Sequence, residues 1–189
     1  SFNYRRVPAL TLAKQLIDED NVLAILGPST SGETMAIKDI CQEGTTILLS
    51  CAAAETIVEP IAPYVFKTPQ KDSDAARRIF ETMKELGISK IGVVTSNAGF
   101  GIAGGQQLAK LAPEYGIAIA ISETYDKQAT DLTDVLTKVK SADVQAVVNW
   151  SIVPAQSLEL VAFGGLVFAT VYLIGDTGAY GSHGLTVNM

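Results

Sequence analysis

The sequence predicts an α/β protein built from parallel sheets in two lobes, and three observations carry that expectation. Segments with helical spacing alternate with short β-branched runs, the runs are apolar on both faces, and a proline-rich stretch separates two such series. Strands that are apolar throughout suit a sheet with helices on each side. Short connections between helix and strand imply right-handed crossovers.

The elements follow in order. In "PALTLAKQLIDED" the residues Ala9, Leu12, Ala13, Leu16 and Ile17 share one helical face, and the strand "VLAILG" begins at Val22. "SGETMAIKDICQEG" is a second helix ending at the C-cap candidate Gly44, and "TTILLS" is the next strand. "PIAPYVFKTPQKD" carries three prolines and reads as a linker, so the lobes divide near residue 70, into 1–70 and 71–189. Only two clear strands are then left for the first lobe.

The second lobe repeats the unit. Ser73 or Asp74 caps the helix "AARRIFETMKEL", Gly87 closes it, and "KIGVVTS" is a strand. A helix from about Gly101 to Leu111 stops at Pro113, and the strand "IAIAIS" follows. The helix "DLTDVLTKVKS" places Leu132, Val135, Leu136 and Val139 on one face before the strand "VQAVVNW". Residues 158–189 fit this scheme less well.

Composition narrows the function classes. With 189 residues and 48% hydrophobic content the chain can bury a real core. A formal net charge of -6, with no dense basic run, argues against a nucleic-acid partner. Cys41 and Cys51 form no C-x-x-C, and two buried free thiols are expected, with a disulfide as the alternative. The start "SFNYRRVPAL" has no apolar signal-peptide core, so a leader has been removed or never existed. The apolar stretch from Leu160 to Ile174 is interrupted by Gly164 and Gly165 and falls short of the roughly 20 residues of a bilayer span.

Three stretches are candidate sites. After the first strand, "GPSTSGE" sets Ser29, Thr30, Ser31 and Gly32 at a helix start, where free N–H groups and the helix dipole suit a carboxylate or phosphate. Ordinary helix capping explains the same residues equally well. It is no P-loop: Gly27 and Gly32 have the spacing, but Glu33 and Thr34 follow in place of the lysine. In "LLSCAAAET" Ser50 ends a strand, and Ala52, Ala53 and Ala54 make a small-residue turn that a ligand or tight packing would require. Finally, "TSNAGFGIAGG" spells G-x-G-x-x-G at Gly99, Gly101 and Gly104, with Glu123 at a tolerable distance for a ribose contact. Four residues separate the strand from the first glycine, and Phe100 would intrude on a pyrophosphate, so a dinucleotide is disfavoured.

Taken together, "VLAILGPSTSGETMAIKDICQEGTTILLSCAAAET", "VFKTPQKDSDAARR", "SKIGVVTSNAGFGIAGGQQLAKLAPEYGIAI" and "VQAVVNWSIVPAQS" resemble the periplasmic binding proteins of branched-chain amino acid ABC importers. The resemblance covers about residues 10–157 and implies the type I periplasmic-binding-protein fold, two Rossmann-like lobes with parallel sheets. It further implies that Ser31, Ala52, Ala53 and Ala54 hold the carboxylate and amino group of a solute in the first lobe, and that Phe100 closes over it from the second, in an interlobe cleft. Ala54 stands where many members have threonine. Trp150 is expected either as a second-lobe contact or as a core residue.

The ends depart from the family pattern, since members begin with two further strands and return to each lobe, and the chain reads as truncated or rearranged. On a colinear alignment Asp176 would pair with a ligand's ammonium; an alternative reading of "YLIGDTGAYG" makes Tyr180 face the ligand. The single histidine, His183, and the lack of a Cys–His pair or metal-ligand cluster argue against catalysis. The resemblance therefore implies a solute-binding component without cofactor or metal, periplasmic or extracellular, with a small amino acid or related carboxylate as ligand and membrane permease subunits as partners. The rivals are an NAD(P)-dependent oxidoreductase using the Gly99–Gly101–Gly104 turn and a ligand-sensing domain of the same fold.

Overall fold

The computed structural model describes residues 9–155, 170–173 and 185–186, the last two segments by their backbone pairing. These residues fall into two compact units that divide between Lys71 and Asp72. The first contains α1 (Ala9–Asp18), β1 (Ala24–Leu26), α2 (Ser31–Glu43), β2 (Ile47–Ser50), a single 3₁₀ turn (Glu55–Ile57) and β3 (Val65–Lys67). The second contains α3 (Asp72–Glu85), β4 (Lys90–Ser96), α4 (Gly99–Leu111), a 3₁₀ turn (Ala112–Tyr115), β5 (Ala118–Tyr125), α5 (Thr133–Ser141), β6 (Ala146–Trp150), β7 (Thr170–Leu173) and β8 (Leu185–Thr186).

In the first unit β1, β2 and β3 lie in that order and are all parallel. The third strand corrects the reading of this stretch as linker. Pro63 and Pro69 bracket "VFK" without entering it, so their missing N–H groups cost the edge strand nothing. The expectation that both faces are covered is also corrected. Ile25, Leu48, Ser50 and Val65 are buried on the face where α2 packs, whereas Leu26 is 80%, Phe66 50% and Ile47 37% exposed on the other. Apolar residues on both faces report the need for cover, and among the described residues α2 supplies it on one face only.

The second unit has the strand order β5-β4-β6-β7-β8. β4 pairs in parallel with β5 and β6, but β7 runs antiparallel to β6, and β8 antiparallel to β7, which corrects the all-parallel expectation. An antiparallel edge on a mainly parallel sheet is a common mixed arrangement, and it needs no helical crossover. On one face Val94, Tyr125, Leu132, Val139, Val144, Val147 and Ala155 make a core under α5. On the other, α4 lies over Thr95 and Trp150, with α3 packed beside it and Phe80 against the ring of Tyr115 at 5.7 Å. α3 begins at Asp72, so Ser73 and Asp74 sit within its first turn, where Asp72 and Asp74 oppose the positive end of the helix. Both cysteines are free; Cys41 is buried, but Cys51, just past β2, is exposed, against the expectation of two buried thiols. None of the described helices is long and apolar enough to cross a membrane.

Candidate functional site

The chain leaves β1 through Gly27, whose φ of +103° is one that glycine alone adopts without strain, and reaches α2. Thr30 is the N-cap: its backbone is extended, and its Oγ1 accepts the Glu33 N–H at 3.4 Å and donates to the Glu33 carboxylate at 2.7 Å. This is a Thr-x-x-Glu capping arrangement. Because Thr30 caps the helix, the neighbouring Ser31 is released from that task. Its side chain is buried, and its Oγ accepts the Ala54 N–H at 3.3 Å. A hydroxyl that accepts in this way still has its own hydrogen to donate.

Two more hydroxyls join the same seam. Thr34, on the same face of α2 as Ser31, lies 2.8 Å from Ser50 Oγ, and Ser50 in turn accepts the Ala52 N–H at 3.1 Å. The loop after β2 is thus tied to the start of α2 by Ser31, Thr34 and Ser50, all buried. Its carbonyl side is held by ammonium groups: Lys38 donates to Thr56 O at 2.8 Å, and Lys67 to Ala53 O at 2.5 Å and Gln70 O at 2.9 Å. The dipole of α2 places partial positive charge at its first turn, partly offset there by the Glu33 carboxylate. Thr34 has a signal in the sequence, since it lies one helical turn from Ser31. Lys38 and Lys67 have none, because their role depends on where the loop carbonyls point.

In the second unit the corresponding turn is built differently. The three glycines of the G-x-G-x-x-G spelling all lie within α4, not in the turn before it, and the N-cap Ala98 offers no side-chain hydrogen bond. A Cβ on Gly101 would sit 2.2 Å from the Ser96 carbonyl oxygen, and one on Gly104 would sit 2.1 Å from Trp150 Nε1. Both glycines are required for α4 to lie against β4 and β6. Trp150 is fully buried, and its ring meets that of Phe100, itself 7% exposed, at 5.6 Å. Asn97 fastens the turn to the one after β5: its Nδ2 donates to Asp126 at 2.8 Å, and its Oδ1 accepts the Lys127 N–H at 2.8 Å. Glu123, the ribose-binding candidate of the dinucleotide reading, is paired with Lys138 at 3.0 Å.

A family model described as periplasmic binding protein matches residues 7–181. The chain belongs to that family. An extracellular ligand-binding receptor from Rhodopseudomonas palustris HaA2 superposes with a TM-score of 0.75 at 25% identity, over 83% of this chain and 46% of that one. A solute-binding protein of an ABC transporter from the same organism, in complex with p-hydroxybenzoic acid, gives 0.71 at 20% identity, over 85% and 46%. A branched-chain amino acid ABC transporter periplasmic ligand-binding protein from Burkholderia xenovorans LB400 gives 0.64 at 18%, over 84% and 44%. Among curated proteins, glutamate receptor 2.4 of Arabidopsis thaliana is 27% identical over 139 residues, 70% of this chain and 16% of the receptor. The chain thus spans less than half the length of these solved structures. As a family member it carries the type I α/β architecture, and its neighbours in structure are binding proteins.

Of the residues expected to bind ligand, the structure brings Ser31, Ala52, Ala53 and Ala54 together in the first unit and Phe100 and Trp150 together in the second. The N–H groups of Ala52 and Ala54 are engaged by Ser50 and Ser31, so neither is an idle donor. Trp150 packs as a core residue beneath Gly104. Asp176, Tyr180 and His183 lie outside the described residues. Among the described residues no cluster of three or more His, Cys, Asp or Glu side chains has the geometry of a metal site.

Proposed function

We propose that this chain is the solute-binding component of an ABC importer and holds a small carboxylate, an amino acid or an aromatic acid, without catalysing a reaction. The observation that carries the reading is the release of Ser31 by the Thr30 cap. Its hydroxyl accepts from Ala54, keeps a hydrogen for an anion, and lies in the first turn of α2, where helix geometry leaves N–H groups without intrahelical partners. The small side chains of Ala52, Ala53 and Ala54 are the proposed neighbours of the ligand beside it. Phe100, backed by Trp150, is the proposed aromatic contribution of the second unit, and Asp176 the proposed partner of a ligand's ammonium. The relatives that bind hydroxybenzoate or belong to branched-chain amino acid transport support a carboxylate as the common feature. Under this reading the protein works in the periplasm or outside the cell and hands its solute to membrane permease subunits.

The test is calorimetric titration with L-leucine and with 4-hydroxybenzoate. Ser31→Ala is expected to weaken binding by about 1.5–3 kcal/mol, the range for a hydrogen bond to a charged group. Unchanged affinity would place the carboxylate elsewhere. A sensing role in a receptor is the second reading, favoured by the 27% identity to a plant glutamate receptor. A dinucleotide finds less support, because Gly101 and Gly104 are committed to helix packing. A thermal shift with NAD and none with either carboxylate would reverse that preference.

A further inference from the structure

The carbonyl of Ala53 and the N–H of Ala54 belong to one peptide group, and the two ends of that group are held by different side chains. The oxygen accepts from the Lys67 ammonium at 2.5 Å, and the N–H donates to Ser31 Oγ at 3.3 Å. Lys67 ends β3 in register with Ser50, which opens the loop, so the sheet itself aims the ammonium at the loop's carbonyl side. A second bond to Gln70 O at 2.9 Å restricts the ammonium group further. A cation on a carbonyl draws electron density along the amide and makes its N–H a stronger donor. A stronger donor into Ser31 Oγ makes that hydroxyl, in turn, a stronger donor through its own hydrogen.

We infer that Lys67 is a positioning residue which, through the Ala53–Ala54 peptide, orients and polarises the Ser31 hydroxyl toward an anionic solute. The inference rests on the carboxylate reading given above for the use of that hydroxyl, but the coupling from Lys67 to Ser31 exists without ligand. Lys38 holds the far end of the loop by Thr56 O and has no bond to this peptide, which makes it the natural control.

The experiment has two arms, both on the full chain. In ligand-free protein, the amide resonance of Ala54 is followed by NMR in Lys67→Gln and Lys67→Met. It is expected to move upfield and to exchange faster in both, with Lys67→Arg restoring most of the change and Lys38→Met leaving it in place. If Lys67→Met fails to fold, Lys67→Gln, which keeps a polar donor without charge, decides the arm. In the second arm, binding of 4-hydroxybenzoate and of 4-hydroxybenzamide is compared. Lys67→Gln should weaken the carboxylate about tenfold and the neutral amide less than about twofold. An Ala54 amide indifferent to Lys67, or equal losses for the two probes, would overturn the inference. If the unsubstituted protein binds neither probe, the carboxylate reading fails by itself, and the Ala54 response still decides the role of Lys67.

Discussion

α2 and α4 each follow a parallel strand, β1 and β4, and they start by opposite means. α2 begins with Thr30 accepting the Glu33 N–H and donating to the Glu33 carboxylate, and with Ser31 freed to bind the neighbouring loop. α4 begins after Ala98 with no side-chain cap, and its glycines bring the helix close enough for Gly101 to touch Ser96 and Gly104 to touch Trp150. The same strand–turn–helix topology thus gives polar chemistry in one unit and close packing in the other. Glycine-rich spelling is therefore no guide to a phosphate cradle. What decides is whether the glycines lie in the turn, where backbone meets ligand, or in the helix, where backbone meets sheet.

The sharpest way to break the comparison is to give α4 a side chain where it has none. Gly104→Ala would set a methyl 2.1 Å from Nε1 and 2.3 Å from Cδ1 and Cε2 of an indole with no exposed surface. Gly101→Ala would set one 2.2 Å from a main-chain oxygen, which cannot swing aside as a side chain does. Each is expected to destabilise the second unit by about 3 kcal/mol, the upper part of the overpacking range. Trp150 is the only tryptophan, so its fluorescence during urea denaturation reports this unit alone. Gly105→Ala is the internal control, because the nearest atom its methyl would meet is Thr95 Cγ2, at 3.1 Å, and alanine's helix preference of about 1 kcal/mol offsets that contact. Equal stability of Gly104→Ala and Gly105→Ala would show that packing does not explain the glycines.

How much of this was legible depended on whether a feature is local. Gly101 and Gly104 are three residues apart, on one face of a helix, and that spacing already fits a packing stripe. The strands β2, β4 and β6 showed in their apolar runs. β3 was hidden because three prolines surround a three-residue strand whose identity is fixed only by pairing with β2. The exposed face bearing Leu26 and Phe66 was equally hidden, since an apolar side chain records what should cover it and not what does. At the site, sequence left capping open among Ser29, Thr30 and Ser31. The Thr-x-x-Glu spacing favours Thr30, but what Ser31 then bonds lies 23 residues away and needed coordinates. Lys67 carried no local signal at all, because its role is defined by the direction of one peptide carbonyl.

A smaller effect is expected from the polar side of the comparison. Thr30→Ala removes the acceptor of the Glu33 N–H and should cost about 1 kcal/mol, typical of a lost N-cap. Hydrogen exchange in α2 gives that loss directly, and exchange of Ala54 adds a sharper question. If Ser31 turns to cap the helix in the variant, Ala54 loses its acceptor and exchanges faster. If the Ser31–Ala54 bond is held by Lys67 and the loop, Ala54 stays protected while the amides of α2 do not. The second outcome is expected, since the loop is fastened at Ala52, Ala53 and Thr56 independently of Thr30.

The smallest effect concerns a polar side-chain link at the start of α4. Asp126 accepts the Gln128 N–H at 2.7 Å and the Asn97 amide at 2.8 Å, and these bonds, the backbone one foremost, hold its carboxyl below the usual carboxylate range. A carboxylate depressed in the folded state adds stability above its unfolded pKa, about 3.9, and the contribution is lost as pH falls through the lower folded value. Acidification below about pH 4 should therefore loosen the link between the turn before α4 and the turn after β5 while leaving Gly101 and Gly104 packed. The side chain is open to solvent, so the change belongs in local exchange of Lys127 and Gln128 rather than in the unfolding midpoint. Asn97→Ala should raise the Asp126 midpoint toward the ordinary range in an NMR titration. Were the Trp150 environment to change over the same pH interval, the two starts would not be opposite in kind, because a polar contact would then be steering the packing of α4 as well.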